Sequence, residues 1–224
     1  MLEPVKLRSN KFLFVLISFI VLSLSVFLGI TNNFDNSVTT FFNNLGGNFE
    51  YDFIIVVLTS IGDIFTMVII GIILTVIRRT RKIGMIFLIS LVLLSISIMY
   101  IKPIVDRTAP VNQYIPNYHL PEKYTIENDS MMPIARDLSY PSNHMARATA
   151  FAFILGYWFT NVKEHKFMGS LIWIFPIIIG FTRMYLLQHY FTDILGGFFY
   201  GLAISMVLCR LMKIHEPFLI NRFR

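Results

Sequence analysis

Six long apolar stretches, at about residues 12–30, 53–77, 83–101, 145–160, 167–182 and 194–212, leave this chain few ways to fold. A bilayer's hydrocarbon core is about 30 Å thick, and about 20 predominantly apolar helical residues span it. The two sixteen-residue stretches reach only about 24 Å at 1.5 Å per residue, so their neighbours must supply the remaining length. Charged residues make up 14% of the 224 residues and hydrophobic ones 55%, with a mean hydropathy of +0.65. An average globular chain has about 25% charged residues. Disorder, a collagen-like repeat and an ordinary soluble enzyme are excluded. The prediction is an all-α polytopic membrane protein, a six-transmembrane-helix bundle forming one domain over residues 1–224. Cys209 is the only cysteine, so no internal disulfide or cysteine metal site is expected.

Lys6, Arg8 and Lys11 precede the first stretch as they would a signal peptide. The following Thr31-Asn32-Asn33-Phe34 offers no small-residue cleavage site, and the stretch reads as a retained helix. With six crossings, 13 of the 19 basic residues fall on one side: those three, Arg78, Arg79, Arg81, Lys82, Lys163, Lys166, Arg210, Lys213, Arg222 and Arg224. Residues 31–52, on the other side, hold no Lys or Arg. By the positive-inside rule both termini are cytoplasmic. The net charge of +6 therefore reads as topology rather than nucleic-acid binding. The one long connection, 102–143, lies outside, and long irregular connections are usually functional or disordered.

The other six basic residues, Lys102, Arg107, Lys123, Arg136, Arg147 and Arg183, fall on that outer side together with His144, His189 and Asp193. Ionisable residues near a bilayer are costly and usually mark function. Cations, two histidines and a carboxylate suggest an anion, phosphate first. Ser142 is a natural N-cap for the fourth helix, whose free N–H groups favour phosphate. His189 and Asp193 are four apart, so the carboxylate can hold one imidazole nitrogen and leave the other to attack phosphorus. His144 can protonate the departing oxygen. Lys102 and Arg183 can neutralise the phosphoryl oxygens.

These residues fall into three ordered motifs: Lys102-x6-Ala109-Pro110, Pro141-Ser142-Asn143-His144 and Thr182-Arg183-x5-His189-x3-Asp193. Together they resemble Lys-x6-Arg-Pro, Pro-Ser-Gly-His and Ser-Arg-x5-His-x3-Asp of the type 2 phosphatidic acid phosphatase superfamily, over roughly residues 55–212. The resemblance implies that His189 is the nucleophile, oriented by Asp193, with His144 as general acid. It implies Lys102, Arg183, Ser142 and Asn143 as phosphate ligands, and no metal or other cofactor. This agrees with a sequence that shows no clustered carboxylate or cysteine ligand set.

Ala109 stands where the family has arginine. Loss of one such donor costs about 10²–10³-fold in rate by analogy with oxyanion-hole deletions. Arg107, two residues earlier, and Arg147, one turn beyond His144, are expected to compensate as further substrate ligands. His119, His165 and His215 read as structural or solvent-facing, Asp63 as a polar contact between helices, and Lys123 and Arg136 as loop charges or headgroup contacts. Arg78, Arg79, Arg81 and Lys82 can also meet anionic lipid.

The expected activity is metal-independent hydrolysis of a lipid phosphate or polyprenyl diphosphate at the extracytoplasmic face, through a phosphohistidine. The alternatives are a phosphatidate or phosphatidylglycerophosphate phosphatase and, because of Ala109, a catalytically weakened lipid-binding or transport protein. The partners implied are the bilayer and its lipid substrate. Headgroup selection falls to residues 111–139.

Overall fold

A computed structural model describes residues 9–119, 127 and 135–216. Lys123 and most of the outer connection between residues 120 and 134 lie outside the described residues, as do the basic residues at 6, 8, 222 and 224. The helices run in the order α1 (Asn10–Phe27), α2 (Asn32–Asn43), α3 (Phe49–Ser60), α4 (Ile64–Val76), α5 (Arg81–Val105), α6 (Asn143–Tyr157), α7 (Lys166–Leu171), α8 (Ile174–Tyr185) and α9 (Phe191–Leu211). Among the described residues the β contact is one isolated antiparallel bridge, Thr108 with Leu138.

Four helical segments are long and apolar enough to cross a membrane: Asn10–Phe27, Arg81–Val105, Lys166–Tyr185 and Phe191–Leu211. A fifth is gained if α3 and α4, bent by 48° at their junction, count as one. The protein is a multi-pass membrane protein with an all-helical bundle. Two expectations change. Residues 53–77 do not form one straight span, because the chain breaks at Ile61, Gly62 and Asp63, where the side chain of the N-cap residue Asp63 meets His144 rather than capping α4. The predicted fourth span appears as the 15-residue α6 followed by a π-turn, Trp158–Val162. α6 alone is too short to count as a crossing.

Eleven of the fifteen residues of α6 are buried, because α5, α8 and α9 pack around it. Close approach to α9 is made by glycine: a side-chain carbon at Gly197 would strike the Ser142 carbonyl, and one at Gly201 the backbone of Ala146. Small residues that let backbones touch are a common device where lipid supplies no hydrophobic drive between helices. α5 turns Ile86, Phe87, Leu91, Leu94 and Ile98 inward. By contrast α1 buries little beyond Val15, which packs on Ala203 and Met206, and Val26. Its Phe14, Ile17, Val21 and Leu24 point away from the protein, as a lipid-facing helix should. Residues 31–52, expected as a polar outer loop, fold instead into α2 and the first turn of α3. α2 buries Asp35, Thr39 and Phe42 against the bundle. The outcome is that the C-terminal ends of α5 and α8 and the N-terminal ends of α6 and α9 meet in one place.

Candidate active site

The first turn of α9 sets the position of His189, the predicted nucleophile. The chain leaves α8, turns through Leu187 in the left-handed region (φ 52°), and places His189 directly ahead of the N-cap Tyr190. Asp193, third in the helix, reaches back so that its Oδ2 accepts the Tyr190 N–H at 2.8 Å, the return half of a capping box. The same oxygen lies 3.7 Å from His189 Nδ1. Both residues are buried. The expected pairing is present, although the helix cap brings it about rather than a full helical turn.

Ser142 caps α6, its Oγ accepting the Met145 N–H at 3.4 Å, while its own N–H donates to the Asp193 carbonyl at 3.1 Å. The starts of α6 and α9 are thereby joined, with Asn143 and His144 buried beside them. His144 Nε2 lies 3.1 Å from Asp63 Oδ1 and 3.4 Å from Glu127 Oε2. One turn further, Arg147 places Nη2 and Nη1 at 3.4 and 3.5 Å from the two Glu127 oxygens. Arg183, in the last turn of α8, reaches the Glu127 carbonyl at 3.4 Å. The Ile64 N–H at the start of α4 donates to Glu127 Oε2 at 2.9 Å. A carboxylate thus sits where an imidazole, a guanidinium and a helix N-terminus converge, an arrangement that favours anions generally. Burial pushes the Glu127 carboxyl up. The hydrogen bond to His144, the charges of Arg147 and His144, and the Ile64 N–H outweigh burial and hold it down to about 2.

Lys102 is fully buried at the end of α5 and donates to the Leu138 carbonyl. Ala109 is buried beside the 107–109 and 137–139 strips, its N–H bonded to the Asp137 carbonyl at 2.9 Å. Arg107 is not placed as a compensating ligand. Its Nη2 meets Asp35 at 2.6 Å, and its Nη1 meets Asp193 at 2.9 Å and the Thr192 hydroxyl at 2.7 Å. Its guanidinium also lies 3.9 Å over the Tyr190 ring. Buried carboxylates draw it behind the His189–Asp193 pair. Burial disfavours its charge, but Asp193 and Asp35 more than reverse this and raise its pKa above the ordinary value. Arg147 is likewise engaged, by Glu127. Arg136 is exposed.

Two charged neighbours of the predicted site residues escaped the sequence, Asp35 and Glu127. Asp63, read as a polar contact between helices, makes one: its partner is His144 on α6. The statement that no clustered ligand set exists is corrected as well. Asp63, Glu127 and His144 bring three donor atoms within 4.8 Å of one another, close enough to hold a metal ion. Arg147 and the Ile64 N–H already serve the Glu127 oxygens of that trio, a surrounding that opposes a dication.

The model of the PAP2 superfamily matches residues 83–216, which carry all three motifs. The chain belongs to the PAP2 superfamily. Its relatives include the undecaprenyl-diphosphatase BcrC of Bacillus subtilis, 30% identical over 40% of this chain and 43% of that protein. Another is an undecaprenyl-diphosphatase of Sulfolobus acidocaldarius, 27% identical over 69% of this chain and 67% of that protein. Phosphatidylglycerophosphatase B of B. subtilis is 32% identical over 31% of this chain and 37% of that protein. The chain thus spans less than half the length of two of these three relatives. The fold matches the crystal structure of a transmembrane PAP2-type phosphatidylglycerolphosphate phosphatase from B. subtilis with a TM-score of 0.72, 20% identity, and 96% and 100% coverage of the two chains.

Proposed function

We propose that this PAP2 chain is a membrane lipid phosphatase that hydrolyses a polyprenyl diphosphate or lipid monophosphate through a phosphohistidine. The observation that carries the reading is that His144, Arg147 and Arg183 reach the carboxylate or carbonyl of Glu127, while the His189–Asp193 pair stands at the start of α9, tied to the start of α6 through the Ser142 N–H and the Asp193 carbonyl. His189 Nδ1 faces Asp193, which leaves Nε2 to attack phosphorus. The P–N bond forms as the bond to the leaving oxygen breaks, and His144 gives that oxygen its proton. Water then cleaves the P–N bond, with His144 taking a proton from it. Lys102, Arg183, Ser142 and Asn143 hold the phosphoryl oxygens, whose charge positioned donors stabilise.

The diphosphate comes first because two relatives are undecaprenyl-diphosphatases. Phosphatidylglycerophosphate is the second reading, supported by the third relative and by the structural neighbour. The site faces outward with both termini inside, a reading supported by the 13 basic residues on one side. It requires that α6 and its π-turn count as a sixth crossing. The test is phosphate release from detergent-solubilised protein given polyprenyl diphosphate, phosphatidate and phosphatidylglycerophosphate under identical conditions. Release that disappears in His189→Ala is expected. Equal release from both proteins across the panel would favour a lipid-binding or transport role instead.

A further inference from the structure

We propose that Asp35 and Arg107 are positioning residues for the nucleophile, fixing the Asp193 carboxylate that orients His189. This role rests on the phosphohistidine reading above. Asp35 lies on α2, upstream of residues 83–216 that match the family model. It is the sole charged residue of that helix and is completely buried. A buried charge is retained at considerable cost, and apolar residues of similar size would pack a helix as well or better.

The geometry places this charge one residue behind the reacting pair. Asp35 Oδ2 binds Arg107 Nη2 at 2.6 Å and the Thr192 hydroxyl at 2.6 Å, while Oδ1 accepts the Thr192 N–H at 3.1 Å. Arg107 Nη1 then binds Asp193 Oδ1 at 2.9 Å, leaving Oδ2 for the Tyr190 N–H and for His189. The two Asp193 oxygens therefore have separate tasks: one is anchored by arginine, and the other faces the imidazole. Arginine suits this place because its planar fork holds two carboxylates in a fixed relation.

Charge balance gives the second argument. Arg107 with Asp193 alone is a neutral pair and offers little to a histidine that becomes positive when Nε2 bonds to phosphorus. With Asp35 included, the buried cluster carries one net negative charge. That charge is cancelled as the phosphohistidine forms, with Nδ1–H directed at Asp193. Asp35 thus restores the negative charge that Arg107 would otherwise neutralise, and it also ties down the first turn of α9, where Asp193 sits.

The experiment uses the full chain in detergent and whichever panel lipid the wild type turns over, with gel-filtration profile and thermal unfolding recorded for each variant. Asp35→Asn keeps the shape and removes the charge. It is expected to lower kcat about 10- to 100-fold, the range seen when a residue that orients a histidine is removed. KM should stay within about threefold, because the ligands on α5, α6 and α8 are untouched; in an Asp193→Asn background the same change should cost less than about threefold, since groups acting as one unit are not additive. Arg107→Lys keeps the charge and loses the fork, and should show the same split and the same coupling should Asp35→Asn not fold. A folded variant with wild-type kcat, a loss confined to KM, or an equal loss in both backgrounds overturns the proposal. A wild type as inactive as His189→Ala overturns the phosphatase reading, and this role with it. An active wild type beside an unaffected Asp35→Asn overturns this role alone.

Discussion

The two histidines of the site are held in opposite ways. Behind His189 stand Asp193, Arg107 and Asp35, buried or nearly so and joined at 2.6–2.9 Å from the first turns of α9 and α2 and from just beyond the end of α5. Around His144 stand Asp63 and Glu127, whose side chains are 23% and 19% exposed, at 3.1–3.4 Å. One comes from a helix break and the other from the outer connection. A nucleophile gains from being aimed before substrate arrives, since orientation removes an entropy cost from the reaction. An acid that meets a lipid's leaving oxygen needs partners that can give way to the substrate. The difference assigns rigidity to the α9 side and exchange to the α6 side.

The largest expected effect separates the two sides directly. Asp193→Asn should lower kcat by about 10³–10⁴-fold, as loss of the orienting carboxylate does in other histidine-based sites. Asp63→Asn should cost no more than about tenfold, because Asp63 helps to hold an acid whose contribution is typically about 10²–10⁴-fold in full. Steady-state phosphate release from both variants at saturating lipid is the measurement. Equal losses would mean that both histidines depend on fixed carboxylates, and the contrast would fail.

The next effect concerns the missing arginine. Since Arg107 serves Asp35 and Asp193, and Arg147 serves Glu127, neither stands in for Ala109 before substrate binds. Ala109→Arg is therefore expected to raise kcat/KM about 10- to 100-fold, part of what such a donor provides elsewhere. An unchanged or lower value would show that Arg147 leaves Glu127 for the substrate and already fills the place.

How much of this was legible in the sequence depended on the range of the contacts. The apolar stretches gave α1, α5 and α9 closely, and Ser142 was readable as a cap because capping acts over three residues. His144, His189 and Asp193 were readable as a group because motif order and helix parity put them on one face. Asp35 was not, since its partners lie 72 and 157 residues away, and nothing local marks one aspartate among asparagines and threonines. Residues 31–52 read as loop for the same reason. α2 is polar for most of its length, and its buried face forms against α3, α8 and α9. The break before α4 was hidden inside a predominantly apolar stretch, 53–77. It is explained by Gly62, where an added side-chain carbon would crowd His144, and by Asp63, whose partner is His144 itself.

A smaller effect tests exchange on the His144 side. If substrate displaces the Glu127 carboxylate, Glu127→Gln keeps the shape and weakens the competitor, so KM should fall about three- to tenfold with kcat within about twofold, an ion-pair-sized change. The pH dependence has a definite sign. Because the carboxyl is held down to about 2, it stays ionised well below its ordinary value; the stabilisation it gives is complete above the ordinary carboxylate range and is lost as pH falls from there through about 2. Glu127 itself does not titrate between pH 5 and 8, so a flat ratio of wild-type to Glu127→Gln KM over that range would identify Arg147 as the group that holds the carboxylate. A ratio that declines as pH rises would identify the His144 imidazolium, rather than Arg147, as the group that holds the carboxylate.

The smallest expected effect is none, and it bears on the same three residues. Asp63, Glu127 and His144 converge closely enough for a metal ion, and a metal there would make the His144 side as fixed as the other. Two features argue that protons and arginine do this work instead. Arg147 lies 3.4 Å from a Glu127 oxygen, and that oxygen already accepts the Ile64 N–H at 2.9 Å, so a dication would have to enter beside a guanidinium and share an occupied ligand. His144 would also have to give up the Nε2 proton that its proposed role as acid requires, since metal ligands bind deprotonated. Excess EDTA should therefore leave kcat and KM unchanged, and added zinc should inhibit competitively with the proton, more strongly at higher pH. Activity lost to EDTA and restored by a divalent ion would place a metal at this trio and make His144 a ligand rather than an acid.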